Sequence, residues 1–281
     1  MAAFSMYKFL FFSNAIKNKK ERKMMQGERK KGIYGCIIVV VTFFILFGLG
    51  FLGEKLSQKK FSQTMGEIKE EKQATVKKAY LTFDDGPSDN TEKILDILKE
   101  KNVKATFFVV GREGENAKKI YRRILAEGNT LGLHSYSHDY EKIYSSIEGY
   151  KNDLNKLRKY LKEVTGRDIT YYRFPGGSSN SIAKIDLGEC AKYLQEEGIV
   201  YYDWNALNDD AVCFKNGPKI LNEKIMKDVK GRNTVIILMH DLHECTATVD
   251  ALPSLIDELK ADGYEILPIT KETKPIQHRK L

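Results

Sequence analysis

Seven short apolar runs recur along the C-terminal part of this 281-residue chain, at 79–83, 105–111, 130–134, 171–175, 199–204, 234–240 and 264–269. Segments of helical period separate them. Ile94, Leu95, Ile97 and Leu98 fall on one face of 91–101, and 148–164 reads the same way. Across 248–263, Val249, Leu252, Leu255, Ile256 and Leu259 keep that period until Gly263 stops it. Runs that are apolar along their whole length suit strands covered on both faces, and strands alternating with helices pair in parallel. The pattern predicts an α/β fold, an irregular (β/α) barrel of about seven strands, with an open doubly wound sheet as the alternative. In either, function gathers where strands end.

Charge is distributed unevenly. The chain carries a formal net charge of +8, and residues 1–32 hold nine Lys or Arg against two Glu. That N-terminal excess of +7 leaves about +1 for everything after it. The remainder therefore has no electrostatic footprint for nucleic acid. With no Gly-x-Gly-x-x-Gly and no P-loop, a nucleotide is not expected either.

Residues 33–53 contain no charged side chain. Twenty-one helical residues span roughly 30 Å, the thickness of a bilayer's hydrocarbon core. Arg29-Lys30-Lys31 precedes them, which places that end in the cytoplasm. The expected organisation is a basic cytoplasmic N-terminus (1–32), a single transmembrane signal-anchor (33–53) and a Lys-, Glu- and Gln-rich stalk (54–76). A catalytic domain outside the cell (77–272) and a solvated tail (273–281) follow. A cleaved signal peptide is the rival reading of 33–53, although no small-x-small cleavage site follows it cleanly. Cys36 falls in the span, leaving Cys190, Cys213 and Cys245 outside, where one pair could join and one thiol be left over. None has Cys-x-x-Cys spacing.

Polar residues cluster at the strand ends. Asp84-Asp85 follows the first run, and His134-Ser-Tyr-Ser-His138 ends the third. Arg173-Phe-Pro-Gly-Gly177 lies at the fourth, Asp203-Trp204-Asn205 at the fifth and His240-Asp241 at the sixth. Two adjacent carboxylates and two histidines four apart can supply three ligands and one base to a divalent ion, which is what a hydrolytic metal site needs. Each has a plainer reading. Asp84-Asp85-Gly86-Pro87 could be a turn, Arg173 a structural ion pair, Leu238 simple core, His243 a loop histidine, and Tyr136 and Ser137 spacers. Convergence of five strand ends at one mouth favours chemistry.

In this order, Thr82-Phe-Asp-Asp-Gly-Pro87, His134-Ser-Tyr-Ser-His138, Arg173-Phe-Pro175 and Leu238-Met-His240 resemble the motifs of the polysaccharide deacetylases, carbohydrate esterase family 4. The resemblance runs from about Lys77 to Thr270. It implies that Asp85, His134 and His138 hold a divalent ion, zinc first, with Co2+, Ni2+ or Mn2+ as alternatives. It also implies that Asp84 takes a proton from the attacking water while Arg173 aims it. The N–H of Gly176, after Pro175, would help hold the oxyanion, His240 would protonate the departing amine, and Leu238 and Trp204 would line the substrate site. The fourth motif matches loosely: Leu207 takes the place of its first Asp, Asp210 of its second and Ala211 of its Trp. Asp210 is the expected tuning carboxylate, with Asp203 the alternative. Gly176 stands where many members have Tyr. The implied activity is metal-dependent N-deacetylation of a cell-wall polysaccharide, peptidoglycan first. Chitin oligosaccharides, exopolysaccharide and O-acetyl xylan are the alternatives, and a tethered glycan-binding module without turnover is the reading from another class.

Overall fold

The computed structural model describes residues 76–211 and 216–280. The expected N-terminus, anchor and nearly all of the stalk, together with Cys213, lie outside the described residues. Among the described residues no helix is long and apolar enough to cross a membrane.

Strands and helices alternate as β1 (Lys77–Asp84), α1 (Asp89–Glu100), β2 (Thr106–Val110), α2 (Glu115–Ala126) and β3 (Thr130–Ser135). After β3 come α3 (Tyr140–Ile143), α4 (Ile147–Thr165), β4 (Tyr171–Tyr172), α5 (Leu187–Glu196), β5 (Val200–Tyr201) and β6 (Ala206–Leu207). The chain then adds α6 (Pro218–Val229), β7 (Thr234–His240), α7 (Thr246–Ala261) and β8 (Tyr264–Ile266). Local chemistry sets several boundaries. Ser88 caps α1 through a reciprocal pair with Thr91, Ser146 caps α4, and Gly166 closes α4 at a φ of 70°.

All recorded pairings are parallel, in the order β5-β4-β3-β2-β1-β7-β6, with β8 on the N-terminal half of β1. The sheet has eight strands rather than about seven, since the two-residue β6 carries no apolar run of its own. Among the described residues β5 and β6 do not pair, so the expected barrel is a curled, parallel half-barrel. An outer core lies between sheet and helices. A smaller inner cluster of Tyr80, Phe108, Tyr202, Ile236 and Ile269 fills the curl.

The C-terminal stretch was expected to be solvated. Its side chains are mostly exposed, yet its backbone is tied down, because backbone polar groups beside an unpaired strand edge need partners. Asp203 N–H donates to the Ile276 carbonyl at 2.7 Å, and His278 N–H donates to Asp203 Oδ2 at 2.8 Å. Ile276 packs on the inner cluster and Thr273 is buried.

Candidate active site

Alternation along each strand decides what faces the inside of the curl. On β1, Ala79, Leu81 and Phe83 enter the outer core, which leaves Tyr80, Thr82 and Asp84 inward. On β7, Val235, Ile237 and Met239 go outward, leaving Ile236, Leu238 and His240 inward. The register sets Thr82 beside Leu238 and Asp84 beside His240. On the other flank Asp84 pairs with Phe108, and Phe108 with Gly132, two residues before His134. Gly132 has no room for a side chain: a Cβ there would lie 2.5 Å from the Phe108 ring. That ring in turn lies 4.3 Å from the Arg173 guanidinium.

Just past β1, Asp85 takes a left-handed φ of 73°, which Asp tolerates better than most residues. Its Oδ1 comes within 3.4 Å of His134 Nε2 and 3.1 Å of His138 Nε2. One donor atom from each of the three residues lies within 4.8 Å of the others. Neither imidazole approach has hydrogen-bond geometry, so Asp85 Oδ1 is a buried carboxylate oxygen with no hydrogen-bond partner. The tautomer of His134 sharpens the point. Its Nδ1 lies 2.8 Å from the Arg173 carbonyl oxygen, which can only accept, so Nδ1 carries the proton. Burial pushes the His134 pKa down, toward the neutral form whose Nε2 is a bare lone pair. Lone pair then faces carboxylate oxygen across 3.4 Å. A cation between them relieves the repulsion, and an Asp/His/His donor set suits a divalent transition metal. Asp85 itself is pushed up by burial, but the neighbouring imidazoles outweigh that and hold it below the ordinary carboxylate range.

Arg173 is wholly buried. Its Nη1 donates to Asp84 Oδ1 at 2.9 Å and to Thr82 Oγ1 at 2.7 Å, and its Nε donates to the Tyr202 carbonyl at 2.9 Å. Nη2 reaches the Asp203 carbonyl at 3.2 Å. Thr82, which sequence reasoning left without a role, passes its own proton to the Ile237 carbonyl at 2.7 Å. One carboxylate of the adjacent pair is thus bound to a fixed cation, while the other faces the histidines.

Residues 174–177 form a tight turn in which Gly177 N–H donates to the Phe174 carbonyl at 2.7 Å. Pro175 and Gly176, with its φ of 76°, occupy the two central positions as in a type II turn. The Gly176 N–H has no acceptor within the described residues. Tyr140, another residue without a role in the sequence reading, packs edge-on to His138 with ring centroids 5.4 Å apart. Its hydroxyl would lie 3.6 Å from a Cβ placed on Gly176.

His240 Nδ1 lies 2.7 Å from Asp210 Oδ1. Asp210 Oδ2 accepts the His240 N–H at 2.8 Å and the Thr248 hydroxyl at 2.7 Å. Burial alone would lower the His240 pKa, but Asp210 overrides it and raises the imidazole to about 9. Of the two candidate tuning carboxylates, Asp210 meets His240. Asp203 instead binds the Ser178 N–H at 2.8 Å, the Ser178 hydroxyl and the His278 N–H.

Leu238 is buried next to Thr82. Trp204, expected beside the substrate, packs against His278, Arg173 and Gly177. Its ring centroid is 4.8 Å from that of His278 and 5.6 Å from the Arg173 guanidinium, and a Cβ on Gly177 would lie 2.8 Å from the indole. Tyr136 and Ser137 are more than spacers. The Tyr136 ring closes over Gly111, and both residues donate backbone N–H groups to Asp153. His243 is exposed, 3.2 Å from an Asp89 oxygen.

The chain is similar to known proteins in sequence and in fold. The sequence profile described as polysaccharide deacetylase matches residues 71–191. Peptidoglycan-N-acetylglucosamine deacetylase of Bacillus cereus is 33% identical over 192 residues, covering 67% of this chain and 68% of that protein. Peptidoglycan-N-acetylglucosamine deacetylase PgdA of Listeria monocytogenes is 34% identical over 199 residues, which is 70% of this chain but 39% of that one. The chain thus spans about two thirds or less of the length of the curated relatives named here. Among solved structures, the catalytic domain of peptidoglycan N-acetylglucosamine deacetylase from Eubacterium rectale superposes with a TM-score of 0.69 at 34% identity, covering 73% of this chain and 93% of that one. Sequence and fold agree, and the chain belongs to the polysaccharide deacetylase family.

Proposed function

We propose that this chain is a divalent-metal-dependent deacetylase that removes the N-acetyl group from N-acetylglucosamine units of peptidoglycan, releasing acetate and leaving a free amine. The observation that carries the reading is the orphaned Asp85 Oδ1 between two histidine nitrogens, flanked by the Asp84–Arg173 and Asp210–His240 pairs. Asp85, His134 and His138 would hold a divalent ion, which would supply Lewis acidity toward the acetamide carbonyl and the attacking water. Zinc fits the donor set first, and Co2+, Ni2+ and Mn2+ are the alternatives.

The rest falls to the chain's own residues. Asp84, aimed by Arg173, takes the proton as water adds to the carbonyl carbon. The Gly176 N–H is placed to stabilise the negative charge growing on the carbonyl oxygen. His240, kept protonated by Asp210, gives its proton to the amide nitrogen as the C–N bond breaks. Leu238 offers an apolar wall for the acetyl methyl.

The substrate assignment draws on the relatives' names and on residues 33–53, read as a single-pass anchor with a cytoplasmic N-terminus and the domain outside. A domain tethered there meets wall polymer first. The test is acetate release from purified peptidoglycan by the full chain, with and without a chelator, with zinc or cobalt restored, and with Asp84→Asn as the blank. Metal-dependent release absent from Asp84→Asn is the expected result. Release from chitin oligomers or acetylated xylan alone would replace the substrate. No release from any of these by a folded, metal-loaded chain would replace the activity with glycan binding.

A further inference from the structure

Two of the three proposed metal ligands flank a short loop, and that loop follows no regular hydrogen-bonding pattern of its own. His134 still belongs to β3, but His138 lies beyond it at a φ of 51°, a left-handed conformation that residues with a Cβ seldom adopt. Something outside the loop must hold it there.

We infer that Asp153, in the second turn of α4, is a positioning residue that fixes this loop in its ligating conformation and thereby sets the affinity for the divalent ion. The inference rests on the metal reading of Asp85, His134 and His138 given above. Asp153 Oδ2 accepts the Ser135 hydroxyl at 2.7 Å and the Tyr136 N–H at 2.8 Å. Its Oδ1 accepts the Ser137 N–H at 2.9 Å. Because the Ser135 hydroxyl gives its proton to Asp153, its lone pairs are turned back, and they accept the His138 N–H at 2.8 Å. One carboxylate therefore reaches three successive residues directly and the fourth, His138, through a single hydroxyl.

The position of Asp153 in its helix argues against a local role. It lies past the first turn of α4, where backbone N–H groups are already bonded within the helix, and the N-terminus is capped by Ser146. The neighbouring face of α4 supports the same loop. Lys156, three residues on, holds its ammonium 3.8 Å from the Tyr136 ring centroid. That ring lies against Gly111, where a Cβ would come within 2.6 Å of it, and its hydroxyl donates to Glu113. Outer partners of this kind orient ligands, and losing one weakens metal binding by about 10–100-fold.

The test is metal affinity rather than turnover. Full-length chain in detergent, as wild type, Asp153→Ala and Asp153→Asn, is titrated with Zn2+ against a chromophoric chelator and with Co2+ by its visible absorption. The metal-free melting temperature of each is measured alongside. Asn keeps the shape but sets an NH2 against a peptide N–H, so both variants should bind about tenfold or more weakly. The metal-free chain should melt somewhat lower for the lost hydrogen bonds but stay folded at the temperature of the titration. Affinity within about twofold of wild type overturns the inference, as does a lowered melting temperature at unchanged affinity, which marks a purely structural residue. Should Asp153→Ala fail to fold, Asp153→Asn alone decides by the same criterion. A wild type that binds neither ion overturns the metal reading itself, which is a distinct failure.

Discussion

His240 and Asp210 are joined twice. The imidazole Nδ1 lies 2.7 Å from Asp210 Oδ1, and the backbone N–H of the same histidine donates to Oδ2 at 2.8 Å. The second bond fixes the carboxylate relative to the strand that carries the histidine, so the pair keeps its geometry whatever the side chains would otherwise prefer. Thr248, at the start of α7, adds a third bond to Oδ2 at 2.7 Å. The carboxylate's hydrogen bond and charge favour the imidazolium over neutral imidazole and overcome the opposing effect of burial.

This pair predicts the alkaline limb of activity. Against the effect of burial, Asp210 first and then Asp84 and Asp85 raise His240 of the metal-free chain to about 9. A cation on Asp85 would draw it back, so the alkaline limb should fall above the ordinary histidine value of 6.5 and no higher than about 9. In Asp210→Asn the limb should move down by at least about one unit, because a neutral amide no longer favours the imidazolium. The sign for stability is the same: the pair's contribution is complete below about pH 6.5 and is lost as pH rises through about 9. The kcat–pH profile of both forms checks it, and superimposable profiles would remove Asp210 from its tuning role.

Asp84→Asn should lower kcat by about 10²–10⁴-fold, the usual range for a general base. Zinc affinity should barely change, because Asp84 stands outside the Asp85, His134 and His138 group. Acetate assays and metal titrations on one preparation separate the two effects.

Removing the guanidinium while keeping its bulk, as in Arg173→Met, strands the buried Asp84 without its cation. The expected cost is about 3–5 kcal/mol in urea unfolding, as for other broken buried pairs. Adding Asp84→Asn to that variant should recover part of the loss, since the stranded charge is then gone. An unaltered midpoint in the single variant would mean that the 2.9 Å contact carries no stability.

Zinc should raise the melting temperature of the wild-type chain, and a chelator should reverse it. A ligand at 100 times its Kd adds about 2.7 kcal/mol to stability. In Asp85→Asn the shift should vanish, because the amide offers no anionic ligand. A full shift in that variant would place the ion elsewhere.

Tyr140→Phe keeps the ring against His138 and deletes a hydroxyl that has no hydrogen-bond partner among the described residues. Loss of one hydrogen bond to substrate, about 1 kcal/mol, should raise KM about fivefold while kcat and zinc affinity hold. A drop in zinc affinity instead would show that the phenol acts through His138.

The strands and the ligands were legible in the sequence because both depend on local order. β7 occupies the residues its apolar run marked, 234–240, and α4 departs from its periodic segment by one residue at each end. Asp85, His134 and His138 could be named together because adjacency and a four-residue spacing restrict what those side chains can do. One short element was not legible. β4 and β5 lie within the runs at 171–175 and 199–204, but β6 holds two residues, too few for a period to show.

The order of residues carried an α/β chain with parallel strands and a metal-type donor set at their ends, and the family resemblance added the Arg173–Asp84 pair that the structure shows. Packing and register were needed to show that the sheet curls without closing, that Asp210 rather than Asp203 meets His240, and that Trp204 packs against His278 and Gly177. Tertiary structure also supplied the supporting residues. Thr82 reaches Arg173 across 91 positions and Asp153 reaches Tyr136 across 17. The physical reason is common to all of these. A hydrogen bond between distant segments depends on where a side chain is delivered by packing and register, and neither leaves a periodic trace in the order of residues.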